Sequence, residues 1–322
     1  MNMSKQFEKN LASFSLKSEK SFGRKYKEDP PKLRTEFQRD RERIIHTTAF
    51  RRLEYKTQVF VNHEGDMYRT RLTHTIEVAQ IARAAARALK INEDLTEAIS
   101  LSHDLGHTPF GHAGQDILNK CMKNFGGFEH NIQSLRIVDK LENVYPNFPG
   151  LNLSFETREG ILKKCNKTRA KKLGDIADRF LKKEQSSLEA QLTNLCDQIA
   201  YNNHDIQDGI RAKKISLEQL KTVPLFKNQM ILALKEHPKI TESQIVNETV
   251  RRIINLLVSD LILNSNANIK NYNIKTPNDV RTCEKEIICF SEKIKKENMN
   301  LKRFLHKNLY KHPDVKKMTD KA

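Results

Sequence analysis

The chain has 322 residues, 38% of them hydrophobic and 7% aromatic, enough for one large or two modest domains with a real core. No apolar run is long enough to span a membrane, Met1 to Lys20 lacks the apolar block of a secretory signal, and five scattered cysteines without a CxxC pair exclude a zinc ribbon or disulfide framework, so a cytoplasmic protein with reduced thiols is expected. A formal net charge of +17 points to anionic partners such as nucleotides or single-stranded nucleic acid, or equally to a lysine-rich solvated surface.

Residues 1–38 are polar, broken by Pro30 and Pro31, and read as an N-terminal arm. From Arg39 the apolar residues Ile44, Ala49 and Leu53 recur at a loosely helical spacing under a dense set of arginines. Arg51 and Arg52 either face an anionic ligand through their planar forks or are solvated, and periodicity does not separate the two. Residues 57–69 combine a short β-branched and aromatic run with a Glu-Gly-Asp turn, which predicts a small strand or hairpin. Thr73 or Thr75 then caps a helix to about Lys90, with Ile76, Ala79, Ala86 and Leu89 on its buried side and His74 in its first turn.

The next helix runs from about Glu93 to Leu105, on the spacing of Leu95, Ala98, Ser102 and Leu105, with Gly106 as a natural C′ residue. His103 and Asp104 therefore lie at its C-terminal turn. They open the run HDLGHTPFGHAGQ over residues 103–115, where three histidines and an aspartate fall within ten residues. Imidazole and carboxylate are the side chains that bind divalent metals and move protons near neutral pH. Gly106, Pro109 and Gly111 keep the run from forming one continuous helix. A polar surface loop or a pair of histidine caps would use the same residues, but five of the eleven histidines lie between positions 74 and 130. Further helices are predicted over 113–125 and 129–144, the second bringing His130 and Gln133 onto one turn.

Residues 163–172 carry six basic groups, which make either an anion or nucleic-acid patch or a solvated face. A long helix over 187–213 places Leu188, Leu192, Leu195 and Ile199 on one stripe. Asp197, Tyr201 and Asp205 follow at successive i+4 steps along a second face. Acid, phenol and acid facing an interior are costly unless they bind something; solvent exposure is the alternative. Beyond residue 222 the chain is again helical, notably over Val246 to Asn264, with a lysine-rich tail from Glu284. We find no internal repeat, Walker loop or Rossmann glycine pattern.

His74, His103, Asp104 and one later carboxylate make a mixed nitrogen and oxygen ligand set, suited to Mg, Mn, Fe, Co or Zn. Such a metal polarises phosphoryl oxygens and lowers the pKa of a bound water, while His107 and His112 are placed for proton transfer or phosphate binding. On residues alone the chain reads as a metal-dependent phosphohydrolase.

These motifs resemble those of the HD superfamily of metal-dependent phosphohydrolases. The blocks RDRERIIH from Arg39, AFRRL from Ala49, KTQVF from Lys56, RLTHT from Arg71, the run from His103, and IAYNNHD from Ile199 resemble deoxyguanosinetriphosphate triphosphohydrolases and their close relatives, over roughly residues 20–265. The resemblance implies an all-α fold: an arm over 1–38, an HD-type helical bundle over 39–213 and an associated helical region over 214–322. It implies hydrolysis of a deoxynucleoside triphosphate to deoxynucleoside and triphosphate. It makes His74, His103, Asp104 and Asp197 ligands of one divalent metal, Mg2+ or Mn2+ first and Fe, Co, Ni or Zn not excluded. Tyr201 would pack on the deoxyribose, Asp205 and Gln58 would hold its 3′-hydroxyl, and Arg71, His107 and His130 would contact phosphates. His112 would be the acid/base residue. The resemblance also implies a homo-oligomer. The readings that compete with it are another HD-type nucleotidase or phosphodiesterase, and a non-catalytic nucleotide or single-stranded nucleic-acid binder.

Gln115 departs from the family pattern, which has an acidic residue three positions after His112. Glutamine accepts a hydrogen bond but supplies no charge to an imidazole, so a slower enzyme or a mainly nucleotide-binding protein is expected. Gln198 likewise stands where an acidic residue often follows the metal-binding aspartate.

Overall fold

A computed structural model of the chain describes residues 6, 8–60, 68–315 and 317, the side chain of His112 apart. Among the described residues every regular element is helical, and extended backbone pairs only at two isolated antiparallel bridges, Arg24 with Ser154 and Thr57 with Thr70. The protein is all-α. The strand or hairpin expected over 57–69 is reduced to the Thr57–Thr70 bridge, and residues 61–67 lie outside the described residues.

The polar arm is docked on the helices through buried carboxylates. Glu8 accepts from the Ser18 hydroxyl and from Asn92, and Glu189 accepts from the Ser15 hydroxyl and the Leu16 amide. Burial pushes both carboxyls above the usual range, and the hydrogen bonds from Asn92, Ser18, Ser15 and the backbone offset part of that cost. The first long helix, α1 (Glu36–Ile45), starts at a Thr35/Gln38 capping box. A break at Thr47 separates it from the short helix Thr48–Arg52, yet Ile44, Ala49 and Leu53 are all buried together. Arg51 and Arg52 are exposed on this surface, the solvated alternative of the two.

Helix α2 (Arg71–Leu89) begins one residue after Thr70, which forms a capping box with Thr73; the cap is thus earlier than Thr73 or Thr75. It buries His74, Val78, Ala82, Ala85 and Leu89, whereas Ile76 is 52% exposed. Ile76 lies two residues from Val78, about 200° around the helix, so the two cannot share a face. Lys90 in the left-handed region ends α2, and Asn92 caps α3 (Glu93–Ser102). Helices α4 (Gly111–Cys121) and α5 (His130–Arg136) follow. The helix expected to reach Val144 instead loosens into a π-turn over Ile137–Leu141.

The centre of the bundle is α6 (Leu188–Arg211), capped by Ser187 and packed with α2 and α3. Beyond it come α7 (Pro224–Glu236), the 30-residue α8 (Glu242–Asn271) and α9 (Glu292–Leu305). One core joins Leu192 and Ile199 of α6 to Phe226, Leu257 and Leu301 of these later helices. Each is fully buried, stabilising the fold by about 1.5–3 kcal/mol apiece. A second core gathers Ile44, Leu53, Leu101, Leu135, Leu153 and Ile161. No helix among the described residues is long and apolar enough to cross a membrane.

Gly106 has a different role from the left-handed cap that its position suggests. A Cβ built there would sit 2.2 Å from the Ser134 amide nitrogen and 2.4 Å from the His130 carbonyl oxygen. The Gly106 amide itself donates to the Ser134 hydroxyl at 2.8 Å. The missing side chain therefore lets α5 lie directly on the His103-Asp104 turn. Gly106→Ala is expected to lose about 1–3 kcal/mol or more by overpacking; a urea midpoint equal to that of the native chain would show that this junction has room.

Candidate active site

The two ends of α2 and α3 and the middle of α6 converge on one point. His74 sits in the first turn of α2, His103 caps the C-terminus of α3, Asp104 follows it, and Asp197 projects from α6. His74 Nε2 is 3.1 Å and His103 Nε2 is 3.7 Å from Asp197 Oδ1. One ligand atom from each of these three residues lies within 4.8 Å of the others. Asp104 stands at the side of the group: Oδ1 is 3.4 Å from His103 Nε2, and Oδ2 is 2.6 Å from Arg71 Nη1.

The donor set fits a cation on hydrogen-bond grounds. His103 Nδ1 is 2.6 Å from the Ser100 carbonyl, which can only accept, so Nδ1 carries the hydrogen. Nε2 is then a bare lone pair, buried and without a hydrogen-bond partner among the described residues, beside two carboxylates. Burial lowers the His103 pKa, which disfavours relief by protonation. Burial alone would raise the carboxyls, but the cations beside them, Arg71 at Asp104 and Lys163 at Asp197, hold both well below the usual carboxylate range. Ionised carboxylates around an imidazole lone pair offer a divalent ion a set of nitrogen and oxygen donors.

His74, Asp104 and Asp197 line a cavity of about 710 Å³. Arg71, His107, His130 and Lys163 line the part near the cluster. His107 and His130 stack with ring centroids 4.4 Å apart. Gln115 Oε1 lies 2.6 Å from His130 Nδ1 and 3.3 Å from the His130 amide, so the glutamine serves His130. The His112 side chain lies outside the described residues; its backbone is in the first turn of α4. Gln58, Tyr201 and Asp205 line the same cavity, and the buried Gln58 Oε1 has no hydrogen-bond partner among the described residues. Burial and the Asp205 charge push the Tyr201 hydroxyl up to about 12, so it remains a neutral phenol.

Several lining residues escaped the sequence reading. Lys163, part of the basic run, points inward and places Nζ 2.7 Å from Asp197 Oδ2, while Lys167, Lys171 and Lys172 are exposed. From the C-terminal region come Lys302, His306 and Tyr310. They repeat the i+4 register of Asp197, Tyr201 and Asp205, which is the signal that could have found them. The Tyr310 hydroxyl donates to Asp205 Oδ2, and its ring lies 6.5 Å from that of Tyr201. His204, quoted within a motif but given no role, lies 2.9 Å from His74. A second hollow of about 530 Å³ on the outer face of α2 is lined by Ile45, Phe50 and Ile76, and the Arg83 and Arg87 beside them pair with Glu93 and Glu97.

The HD domain family matches residues 71–202, and a phosphohydrolase-associated domain family matches residues 288–322. A deoxyguanosinetriphosphate triphosphohydrolase-like protein of Ralstonia pickettii (strain 12J) is 58% identical over 97% of this chain and 80% of its own length. The chain belongs to this family of HD-domain phosphohydrolases. A family member of the same description from Nitrosomonas europaea is 56% identical over 97% of the chain and 83% of its own length. The HD domain implies a divalent metal, and the His74, His103 and Asp197 group of this chain offers it ligands.

Lys56 supports the site from below, donating to the Leu105 carbonyl at 2.9 Å. Burial, with Arg71 nearby, lowers its pKa from 10.5 to about 8. Between those values the unfolded chain holds a proton that the folded chain has released, so the Lys56 contribution to stability rises with pH over this interval. Lys56→Met is expected to flatten that rise, seen by comparing denaturation midpoints of the two proteins at the two ends of the interval.

Proposed function

We propose that the protein hydrolyses a deoxynucleoside triphosphate, dGTP-like in kind, to a deoxynucleoside and intact triphosphate. The observation that carries this reading is one cavity lined by two chemically distinct sets of groups. The carboxylates Asp104 and Asp197 stand there with Arg71, His107, His130 and Lys163, and the same cavity is lined by a phenol, Tyr201, the Asp205 carboxylate and the unpartnered Gln58 amide oxygen. A phosphate chain suits the first set and an uncharged sugar the second. The description of the relatives supports the same substrate class.

A divalent metal held by His74, His103, Asp104 and Asp197 would polarise a phosphoryl oxygen and activate water. Around it, Arg71 offers its guanidinium to phosphate oxygens, a planar fork suited to them. His107 and His130 add imidazole donors to the same group. Lys163 neutralises Asp197 before substrate arrives and can turn to the phosphate chain. Tyr201 forms the wall beside the sugar, where a close-packed phenol leaves no room for a 2′-hydroxyl. Gln58 and Asp205 present oxygen acceptors to the 3′-hydroxyl, and His112, in the first turn of α4, exchanges the proton with the leaving oxygen. In this reading residues 39–213 make the phosphohydrolase unit, and the 214–322 region completes the cavity wall through Lys302, His306 and Tyr310.

Incubation with Mg2+ or Mn2+ and each of the four dNTPs, singly and mixed, tests the reaction. Triphosphate with deoxynucleoside is expected; pyrophosphate or phosphate would move the protein to another HD-type nucleotidase or phosphodiesterase. Chelation is expected to abolish turnover and added metal to restore it. Tyr201→Ala is expected to raise the kcat/KM for ribonucleotides relative to deoxynucleotides by roughly tenfold, the scale of one pocket contact, and an unchanged ratio would place discrimination elsewhere. Gln115→Glu puts a charge on the His130 imidazole beside the phosphate-binding groups and is expected to raise kcat by roughly tenfold, the scale of one charge-assisted hydrogen bond. An equal kcat would remove the charge at this position as a determinant.

A further inference from the structure

We infer that His204 is a positioning residue that sets the tautomer of the metal ligand His74, and that it is itself set by Asp205. His74 and His204 are both buried, and His74 Nδ1 lies 2.9 Å from His204 Nε2. On its other side, His74 presents Nε2 to Asp197. Two proton arrangements satisfy the contact between the two imidazoles. In the first, His204 donates from Nε2, and His74 must then carry its hydrogen on the atom that faces the carboxylates, closed to a cation. In the second, His74 donates from Nδ1 to a bare His204 Nε2, and the lone pair of His74 Nε2 is open to the metal.

Without a cation, Asp197 Oδ1 at 3.1 Å favours a hydrogen on His74 Nε2; with a cation there in its place, Asp205 favours the second arrangement. His204 Nδ1 is 3.2 Å from Asp205 Oδ1, and neither atom has a hydrogen-bond partner among the described residues, so the contact between them is electrostatic. A carboxylate only accepts, so it places the His204 hydrogen on Nδ1 and leaves Nε2 to receive from His74. The other oxygen, Oδ2, is taken by the Tyr310 hydroxyl, which leaves Oδ1 for His204. The result is a line of polar contacts from Tyr310 through Asp205 and His204 to His74, joining the Tyr201 side of the cavity to the metal ligands. A second imidazole is thus interposed in the usual carboxylate–histidine–metal pattern.

This inference rests on the proposed metal-dependent reading, and metal affinity separates the two. Mn2+ is titrated calorimetrically into the metal-free full chain, without substrate, with denaturation midpoints of the metal-free proteins measured alongside. His204→Leu removes the acceptor and is expected to weaken Mn2+ binding about 10- to 100-fold. His204→Gln, whose side-chain oxygen can receive from His74 Nδ1, is expected to recover most of that loss. If the leucine form does not fold, His204→Asn, polar but too short to reach, takes its place with the same expected loss. Native affinity in a folded Leu or Asn variant overturns the inference and leaves the proposed function standing. Equal weakening in the Gln and Leu forms, at equal metal-free stability, also overturns it by assigning the effect to packing. A native chain that binds no Mn2+ overturns both readings.

Discussion

The Nδ1 hydrogen of His103 belongs to the Ser100 carbonyl, and much of the site follows from that bond. It turns a lone pair into a buried space beside Asp104 and Asp197, where no donor among the described residues meets it. An arrangement of acceptors facing acceptors is stable only with positive charge between or around them. The protein distributes that charge among Arg71 on Asp104, Lys163 on Asp197, and the divalent ion that the HD domain implies. The surrounding fold can be understood as the scaffold that keeps this unfavourable set of oxygens and nitrogens together.

The scaffold is a bundle in which helix ends carry the chemistry and helix middles carry the stability. His74 and His103 sit at termini, where backbone groups need partners in any case. Asp197 is the exception, mounted mid-helix on α6, whose opposite stripe is locked into the core by Leu192 and Ile199. Rigid mounting has a chemical use, because a metal site loosened by an ångström loses its geometry. The later helices do more than cover α6. They bring Lys302, His306 and Tyr310 to the cavity, so the region beyond residue 214 completes the wall that Tyr201 and Asp205 begin.

Much of this was legible along the chain. The mostly helical character, the positions of the main helices, and the types of residue that gather around a metal follow from periodicity and from the density of histidines near HDLGH, while the all-α class came with the family resemblance. The register of Asp197, Tyr201 and Asp205 placed three side chains on one face of one helix, and they do line one cavity. The Lys302, His306 and Tyr310 register was equally regular, but a lysine-rich tail draws attention to its charge rather than to its spacing. Ile76 failed for a related reason: an apolar side chain was assigned inward although its angle places it opposite Val78.

By itself, then, the sequence determined what is local: helix type and phase, caps, and which chemical groups recur at i+4, because backbone geometry links those properties to neighbours in the chain. Tertiary structure alone decided the pairings across long separations. Lys163 of the basic run meets Asp197, His204 stands behind His74, and Tyr310 takes one oxygen of Asp205. It also decided why residue 106 must be glycine, since the obstacle is the backbone of α5 rather than a strained φ. Such contacts depend on how helices cross and how closely they approach, quantities set by the packing of whole cores rather than by the spacing of residues within any one element.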